Sequence, residues 1–144
     1  MKHSLLFLAL MLLPAFACHA DESDDTLKFY LSKSDVIVVG EIASDILAVC
    51  DEAGVPNYIC EFKVADVIKG DESLKEKTIK VNIMRFEMDK EDKHPLIKKD
   101  SKCILFLKKT ENSTPSYNTA DFWFGIQHPF PWMIKSLKRL ASEK

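Results

Sequence analysis

Residues 36–43 read VIVVGEIA, and this β-branched, almost wholly apolar run decides the fold class. A short apolar run of this kind is typical of a buried strand. Just upstream, residues 26–33 (TLKFYLSK) place their apolar side chains at helical spacing, so the period changes from 3.6 to 2 where the run begins. Gly40 interrupts the run, and a glycine inside a strand indicates a bulge or a sharp bend.

Downstream of this run, further short apolar segments alternate with turn residues. Pro131 stands where a helix would begin, and apolar positions then recur at helical spacing to residue 142. We therefore predict a mainly β domain, a small antiparallel barrel or sandwich, with a short N-terminal helix and a C-terminal helix over 131–142 covering its open ends. The expected strands are 36–43, 45–50, 58–68, 78–86, 103–107 and 117–126.

The first 20 residues have the three parts of a cleaved signal peptide. Lys2 is positive, residues 5–13 (LLFLALMLL) are apolar, and small residues follow Pro14. The apolar stretch is shorter than the roughly 20 residues that a membrane span needs. We expect cleavage after Ala17 or Ala20, one domain over 21–144, and a secreted or periplasmic protein.

The fate of Cys18 depends on that cleavage. A cut after Ala17 leaves Cys18 as the first residue, whereas a cut after Ala20 removes it. A third alternative is a lipoprotein, with Cys18 lipidated and the chain tethered to a membrane; Phe16 stands where such proteins usually have a small residue.

Composition excludes several classes of function. Without Lys2 the chain has 19 basic residues, one fewer than the 20 of the whole sequence, against 22 acidic residues, a net charge of −3. Nucleic acid is therefore not an expected partner, because phosphate binding needs a concentrated basic face. No Cys-x-x-Cys, His-Glu-x-x-His, Gly-x-Ser-x-Gly or phosphate loop occurs, so we expect no metal, no cofactor and no catalysis. We expect a monomer.

The cysteines predict cross-links if the protein is exported. Cys50 and Cys60 flank the loop 51–57 almost symmetrically, so a hairpin would bring them together as a disulfide. The alternative is two free thiols packed as small apolar side chains. Cys103 either pairs with Cys18 or is a free thiol buried in the apolar segment CILFL.

The densest aromatic cluster lies near the C-terminus. Tyr117, Trp123 and Trp132 are the candidate binding residues, an exposed strip for a protein or glycan partner. The alternative is that the cluster fills the barrel and docks the last helix. The whole cluster comprises Tyr117, Phe122, Trp123, Phe124, Phe130 and Trp132.

A few polar residues invite a catalytic interpretation. Glu41 and Asp121 would be the carboxylate pair of a small hydrolase, which would need them in one concave pocket. His94 and His128 would act as metal ligands or as acid–base groups of the hydrolase only if the fold placed them together; each precedes a proline, and such dipeptides are extended loops.

The order of these features is similar to a known family. Residues 34–42 (SDVIVVGEI) are followed by VIKG at 67–70, IKV at 79–81 and CILFL at 103–107. This pattern, over about residues 30–108, resembles the oligonucleotide/oligosaccharide-binding barrel of netrin-like modules and of the tissue inhibitors of metalloproteinases. It also looks like secreted bacterial proteins that share the pattern. The resemblance implies a five-stranded barrel.

The resemblance also bears on function. In those inhibitors an N-terminal cysteine chelates the protease zinc, a part that Cys18 would take only if cleavage follows Ala17. Their N-terminal Cys-x-Cys pattern is absent, because Ala20 occupies the second place, and their dense disulfide framework is missing. We therefore expect a secreted or periplasmic binding module, with inhibition of an extracellular protein as one form of that role.

Overall fold

The computed structural model describes residues 20–84, 94–111 and 116–143. The predicted signal peptide, apart from Ala20, lies outside these residues, as does Cys18. Within these residues the elements are two α-helices, seven strands and one 3₁₀ turn (Glu72–Leu74). In chain order the helices and strands are α1 (Ala20–Lys33), β1 (Val36–Ile42), β2 (Leu47–Cys50), β3 (Pro56–Lys69), β4 (Thr78–Met84), β5 (Lys102–Lys109), β6 (Tyr117–Thr119), β7 (Ile126–Gln127) and α2 (Pro131–Ser142).

Five of the strands close into a barrel. The hydrogen-bonded order is β1-β3-β4-β6-β5, and β1 pairs with β5 to complete the circle. All pairings are antiparallel except the short parallel contact of β4 with β6. The protein is thus mainly β, a closed five-stranded barrel with one N-terminal and one C-terminal helix, as the sequence predicted.

The apolar run that begins at Val36 is continuous because β1 is buried on both faces. Val36, Val38 and Ile42 point into the barrel and belong to its core. Ile37 points the other way, into a second cluster beneath the helices. The predicted bulge is present, since the pairing of β1 with β3 shifts between Val39 and Gly40. A side chain at Gly40 would collide with the main-chain oxygen of Lys63.

The helices lie against the outer wall of the barrel. Tyr30 of α1 meets the outward-facing Phe106 of β5 with ring centroids 5.4 Å apart, and Leu27 of α1 and Leu137 of α2 belong to the same buried cluster. The prediction that the helices cover the two barrel ends is therefore wrong, because outward-facing apolar residues of β1, β3 and β5 need a cover of their own. Arg139 joins the helices by an ion pair with Asp24 (2.6 Å).

The single strand expected over 117–126 is also wrong. The chain leaves β6 after Thr119, turns through 121–124 and re-enters the sheet as β7. The Asp121 carboxylate accepts a hydrogen bond from the Trp123 amide (2.7 Å), a local turn that competes with the strand. Gly125 then packs so closely that a Cβ would lie 2.5 Å from both the Asp121 oxygen and the Thr119 Cβ.

Candidate functional site

Three large aromatic side chains between residues 123 and 132 are exposed to solvent. Trp123, Phe130 and Trp132 are 71%, 48% and 52% exposed. The rings of Phe130 and Trp132 are near parallel, with centroids 6.3 Å apart and an interplanar angle of 16°. We call these three residues the exposed aromatic segment. Isolated apolar side chains are common on protein surfaces, so the neighbouring rings of Phe130 and Trp132 are the stronger indication of a contact surface.

The backbone that carries Trp123 is held firmly by β5. The Gly125 amide donates to the Asp121 oxygen (3.2 Å), and the Gly125 oxygen accepts from the Phe106 amide (3.0 Å). The Ala120 amide in turn donates to the Phe106 oxygen (2.7 Å). The turn is therefore fixed at both ends, which lowers the entropy cost of using Trp123 in a contact.

Phe130 and Trp132 are placed by the start of α2. Pro131 occupies the first turn, where its fixed φ favours a helix and its missing N–H costs nothing. Met133 and Leu137 point to the core, so Trp132 must point away from it. Phe130 was noted in the sequence as part of the cluster but not as a binding residue; the Phe-Pro-Trp run across a helix start is the signal that would have found it.

The remaining aromatics of this region are structural. Phe124 stacks on Tyr30 (4.3 Å between centroids) and meets Phe106 edge to face at 5.8 Å. These rings lie beneath the helices. For Phe124, the alternative that the aromatic cluster docks the last helix is therefore correct. Tyr117 is half-buried and packs against the barrel core from β6. It is therefore placed differently from the two tryptophans with which it was grouped.

The cysteine geometry differs from the prediction. Register places Cys50 opposite Pro56, and Cys60 four residues further along β3 opposite Val81. Cys50, Cys60 and Cys103 are all free thiols. The Cys50–Cys60 bridge was wrong because the hairpin turn spans 51–55 rather than 51–57, which removes the expected symmetry.

The two buried thiols lie inside the barrel. Burial raises the pKa of Cys60 to about 11. Burial also raises the pKa of Cys103 to about 12, and the nearby Cys60 thiol adds to that shift. Both groups are protonated at neutral pH and are therefore poor nucleophiles.

The four residues considered for a hydrolase lie on separate elements. Glu41 is in β1 between Lys63 and Lys102, and Asp121 holds the turn before Trp123. His94 Nδ1 accepts from the Leu96 amide (3.1 Å), while the His128 ring lies 5.5 Å from that of Phe130. Within the described ranges no hydrogen bond or ion pair joins any two of these four.

A cavity of about 360 Å³ lies where the ends of α1, β3 and α2 meet. Its charged residue is Lys69, whose Nζ donates to the main-chain oxygens of Leu31 (2.7 Å) and Ser34 (2.6 Å). A lysine in this position satisfies the last carbonyls of α1 and complements the helix dipole. The cavity lining is Leu31, Ser32, Ile68, Lys69, Gly70, Leu140 and Ala141, and it includes none of the residues predicted for a site.

The carboxylates with shifted pKa values have structural partners. A hydrogen bond from Lys138 lowers the pKa of Asp66, and main-chain donors lower those of Asp35, at the Lys109 amide, and Asp71, at the Ser73 amide. Shifted groups often mark active sites, but ion pairs and turns shift them too. No group of histidine, cysteine or acidic residues among the described residues is arranged to hold a metal.

Comparison with known proteins does not place the chain in a family. No family model matches it, and no curated protein matches it. None of the helices in the described ranges is both long and apolar enough to cross a membrane.

Proposed function

We propose that the protein is a non-catalytic binding module, secreted or periplasmic, that holds a protein partner on the exposed aromatic segment. One observation carries this proposal: Trp123, Phe130 and Trp132 are about half or more exposed, and the turn that carries Trp123 is hydrogen-bonded to β5 at both ends. Aromatic side chains, tryptophan above all, contribute most of the binding energy in many protein interfaces.

The rigid setting of these rings favours a binding role. Trp123 is tied to β5 through its turn, and Trp132 to the core through Met133 of the same helical turn. A partner would therefore gain apolar contact without ordering the backbone that presents it. Each ring that becomes fully buried at the centre of such an interface would contribute about 2 kcal/mol or more.

A protein inhibitor is one form of this role. The barrel agrees with the architecture that the netrin-like resemblance implies. Zinc chelation by an N-terminal Cys18 would require cleavage after Ala17, so the intact mass of the mature protein tests that form directly. The same mass would reveal lipidation of Cys18, the alternative in which the module is anchored in the envelope.

The test compares three immobilised proteins exposed to periplasmic and culture-medium fractions of the native cells. The wild type should recover a specific protein, Trp123→Ala with Trp132→Ala should lose it, and Tyr117→Phe should retain it, because Tyr117 lies against the barrel core. Recovery that is indifferent to the tryptophans would contradict the proposal. Binding of wild type to a glycan array, abolished by the same double variant, would replace the protein partner by a carbohydrate.

A further inference from the structure

A further exposed aromatic side chain, Phe29 of α1, adjoins the exposed aromatic segment. Phe29 is 51% exposed, and its ring meets that of Phe124 edge to face, with the ring centroids 6.0 Å apart. Phe124 follows Trp123 directly in the same turn. The aromatic surface therefore continues from this turn onto α1.

Each helix carries a lysine beside one of the exposed rings. On α1 the ammonium of Lys33 lies over the ring of Phe29, 5.6 Å from its centroid. On α2 Trp132 and Lys135 are both exposed and stand three residues apart, so they share one face of the helix. Among the described residues neither Lys33 nor Lys135 forms an ion pair.

The other basic side chains of α2 are already balanced by acids of this chain. Lys138 forms an ion pair with Asp66, and Arg139 forms one with Asp24. Lys138 and Arg139 therefore stabilise the fold, which distinguishes them from the two lysines beside the rings.

The chain around the exposed rings is poor in acidic residues. From residue 112 to residue 142 it contains one, Asp121, whose carboxylate accepts a hydrogen bond from the Trp123 amide. Helix α2 contains three basic residues and no acidic residue. A carboxylate that approached Lys135 would thus meet no acidic residue on the same helix.

We propose that the partner presents a short acidic peptide segment to this surface, with an apolar side chain against the rings and carboxylates at Lys33 and Lys135. The proposal rests on the binding role proposed above and names the chemistry of the partner. Charge complementarity of this kind gives an interface its specificity.

The spacing on α2 predicts the spacing in the partner. Residues three apart on a helix, such as Trp132 and Lys135, have Cβ atoms about 5–6 Å apart. Two residues of an extended segment span about 6.5 Å. The carboxylate would therefore lie within two residues of the apolar side chain.

A membrane surface of anionic lipids is the other partner of this charge. Sequences that recognise such surfaces carry clusters of about four to eight basic residues. Among the described residues beside the rings, Lys33 and Lys135 are the two whose charge is not balanced by an ion pair. The number of available cations thus favours a peptide segment over a lipid surface.

Selection from a random peptide library displayed on phage tests the proposal. The wild type should enrich peptides with Asp or Glu within two residues of an aromatic or large aliphatic residue. Those peptides should not bind Trp123→Ala with Trp132→Ala. Tryptophan-dependent peptides without such acids would overturn the acidic segment and leave the binding role intact. Failure to enrich any tryptophan-dependent peptide would also overturn it, and the recovery experiment above tests the binding role separately.

The contribution of the charge is measured on the best selected peptide. Lys135→Gln should weaken its binding about two- to fivefold, the effect of one exposed ion pair. Lys80→Gln is the matched control, since Lys80 lies on β4 opposite Glu61, away from the exposed rings, and its loss should leave the affinity unchanged. Equal affinities of wild type and Lys135→Gln would contradict the proposal.

Two further measurements separate the remaining alternatives. Phe29→Ala should weaken the same peptide while the melting temperature shows that the helices remain docked; an unchanged affinity would exclude α1 from the surface. Vesicles of phosphatidylcholine with phosphatidylglycerol provide the lipid probe. Binding to these vesicles, but not to acidic peptides, would replace the peptide segment by a membrane surface and overturn the proposal.

Discussion

Two adjacent residues, Trp123 and Phe124, separate the aromatic side chains of this protein into two groups. Phe124 is 5% exposed and packs with Tyr30 and Phe106 beneath the helices, whereas Trp123 is 71% exposed. Both stand in the same turn, so the direction in which each side chain leaves the turn determines which ring is buried. The buried rings stabilise the fold, and the exposed rings form the surface that we propose for a partner.

The largest expected difference between the groups is in stability. Phe106→Ala removes a fully buried ring between the barrel and both helices, so it should cost about 3–5 kcal/mol of unfolding free energy. Trp132→Ala should change stability by no more than about 0.5 kcal/mol, as surface substitutions usually do. Urea denaturation measures both, and a Trp132→Ala variant as unstable as Phe106→Ala would remove the distinction.

The turn itself is the next place to test the comparison. Gly125→Ala would force a Cβ to within 2.5 Å of Asp121 and Thr119, at a cost of about 1–3 kcal/mol from overpacking. Gly54→Ala is the control, since no atom lies within 4 Å there and only its positive φ (78°) costs about 1 kcal/mol. If thermal unfolding ranks Gly54→Ala as the more damaging, the turn is less tightly packed than described.

A smaller effect concerns pH and the helix that presents Trp132. The hydrogen bond from Lys138 lowers the folded pKa of Asp66 below its ordinary value of 3.8. Its contribution to the free energy of unfolding is therefore present above about pH 4 and is lost as pH falls through the folded pKa. Solvent screening keeps it below about 1 kcal/mol. Asp66→Asn should lower stability at neutral pH and show a shallower loss on acidification. If the unfolding free energies of the wild type and of Asp66→Asn fall equally as the pH is lowered, the Lys138–Asp66 hydrogen bond does not contribute to stability.

Thiol reactivity has the simplest readout and requires no change of stability at neutral pH. At neutral pH a thiol reagent should modify Cys50 in the folded protein and reach Cys60 and Cys103 only after unfolding. Because the pKa values of Cys60 and Cys103 are raised in the folded protein, these thiols ionise at a lower pH in the unfolded chain. The free energy of unfolding therefore falls as pH rises from about 9 toward 11. Rapid modification of Cys60 and Cys103 in native protein would show that the barrel opens readily.

Much of the fold was predictable from local pattern. The strand predicted from the apolar run 36–43 and the helix predicted from the spacing after Pro131 were correct, because each pattern lies in consecutive residues. The Cys50–Cys60 disulfide was wrong because the register of the hairpin cannot be read from the loop residues alone. Pro56 was expected in the loop, but it begins β3 opposite Cys50, in a position where its missing N–H costs no hydrogen bond. Of the exposed aromatic segment, the sequence predicted the exposure of Trp123 and Trp132 but not that of Phe130. Tyr117 was wrongly grouped with the tryptophans, because its direction depends on the pairing of β6 with β4, which is distant in sequence.

Tryptophan fluorescence tests the central claim most directly. The protein contains two tryptophans, Trp123 and Trp132, and both belong to the exposed aromatic segment. Acrylamide should quench their emission readily in the free protein, and addition of a recovered partner should protect them and shift the emission to shorter wavelength. A partner that binds stoichiometrically while both tryptophans remain as accessible to acrylamide as before would contradict the assignment of this segment as the binding surface.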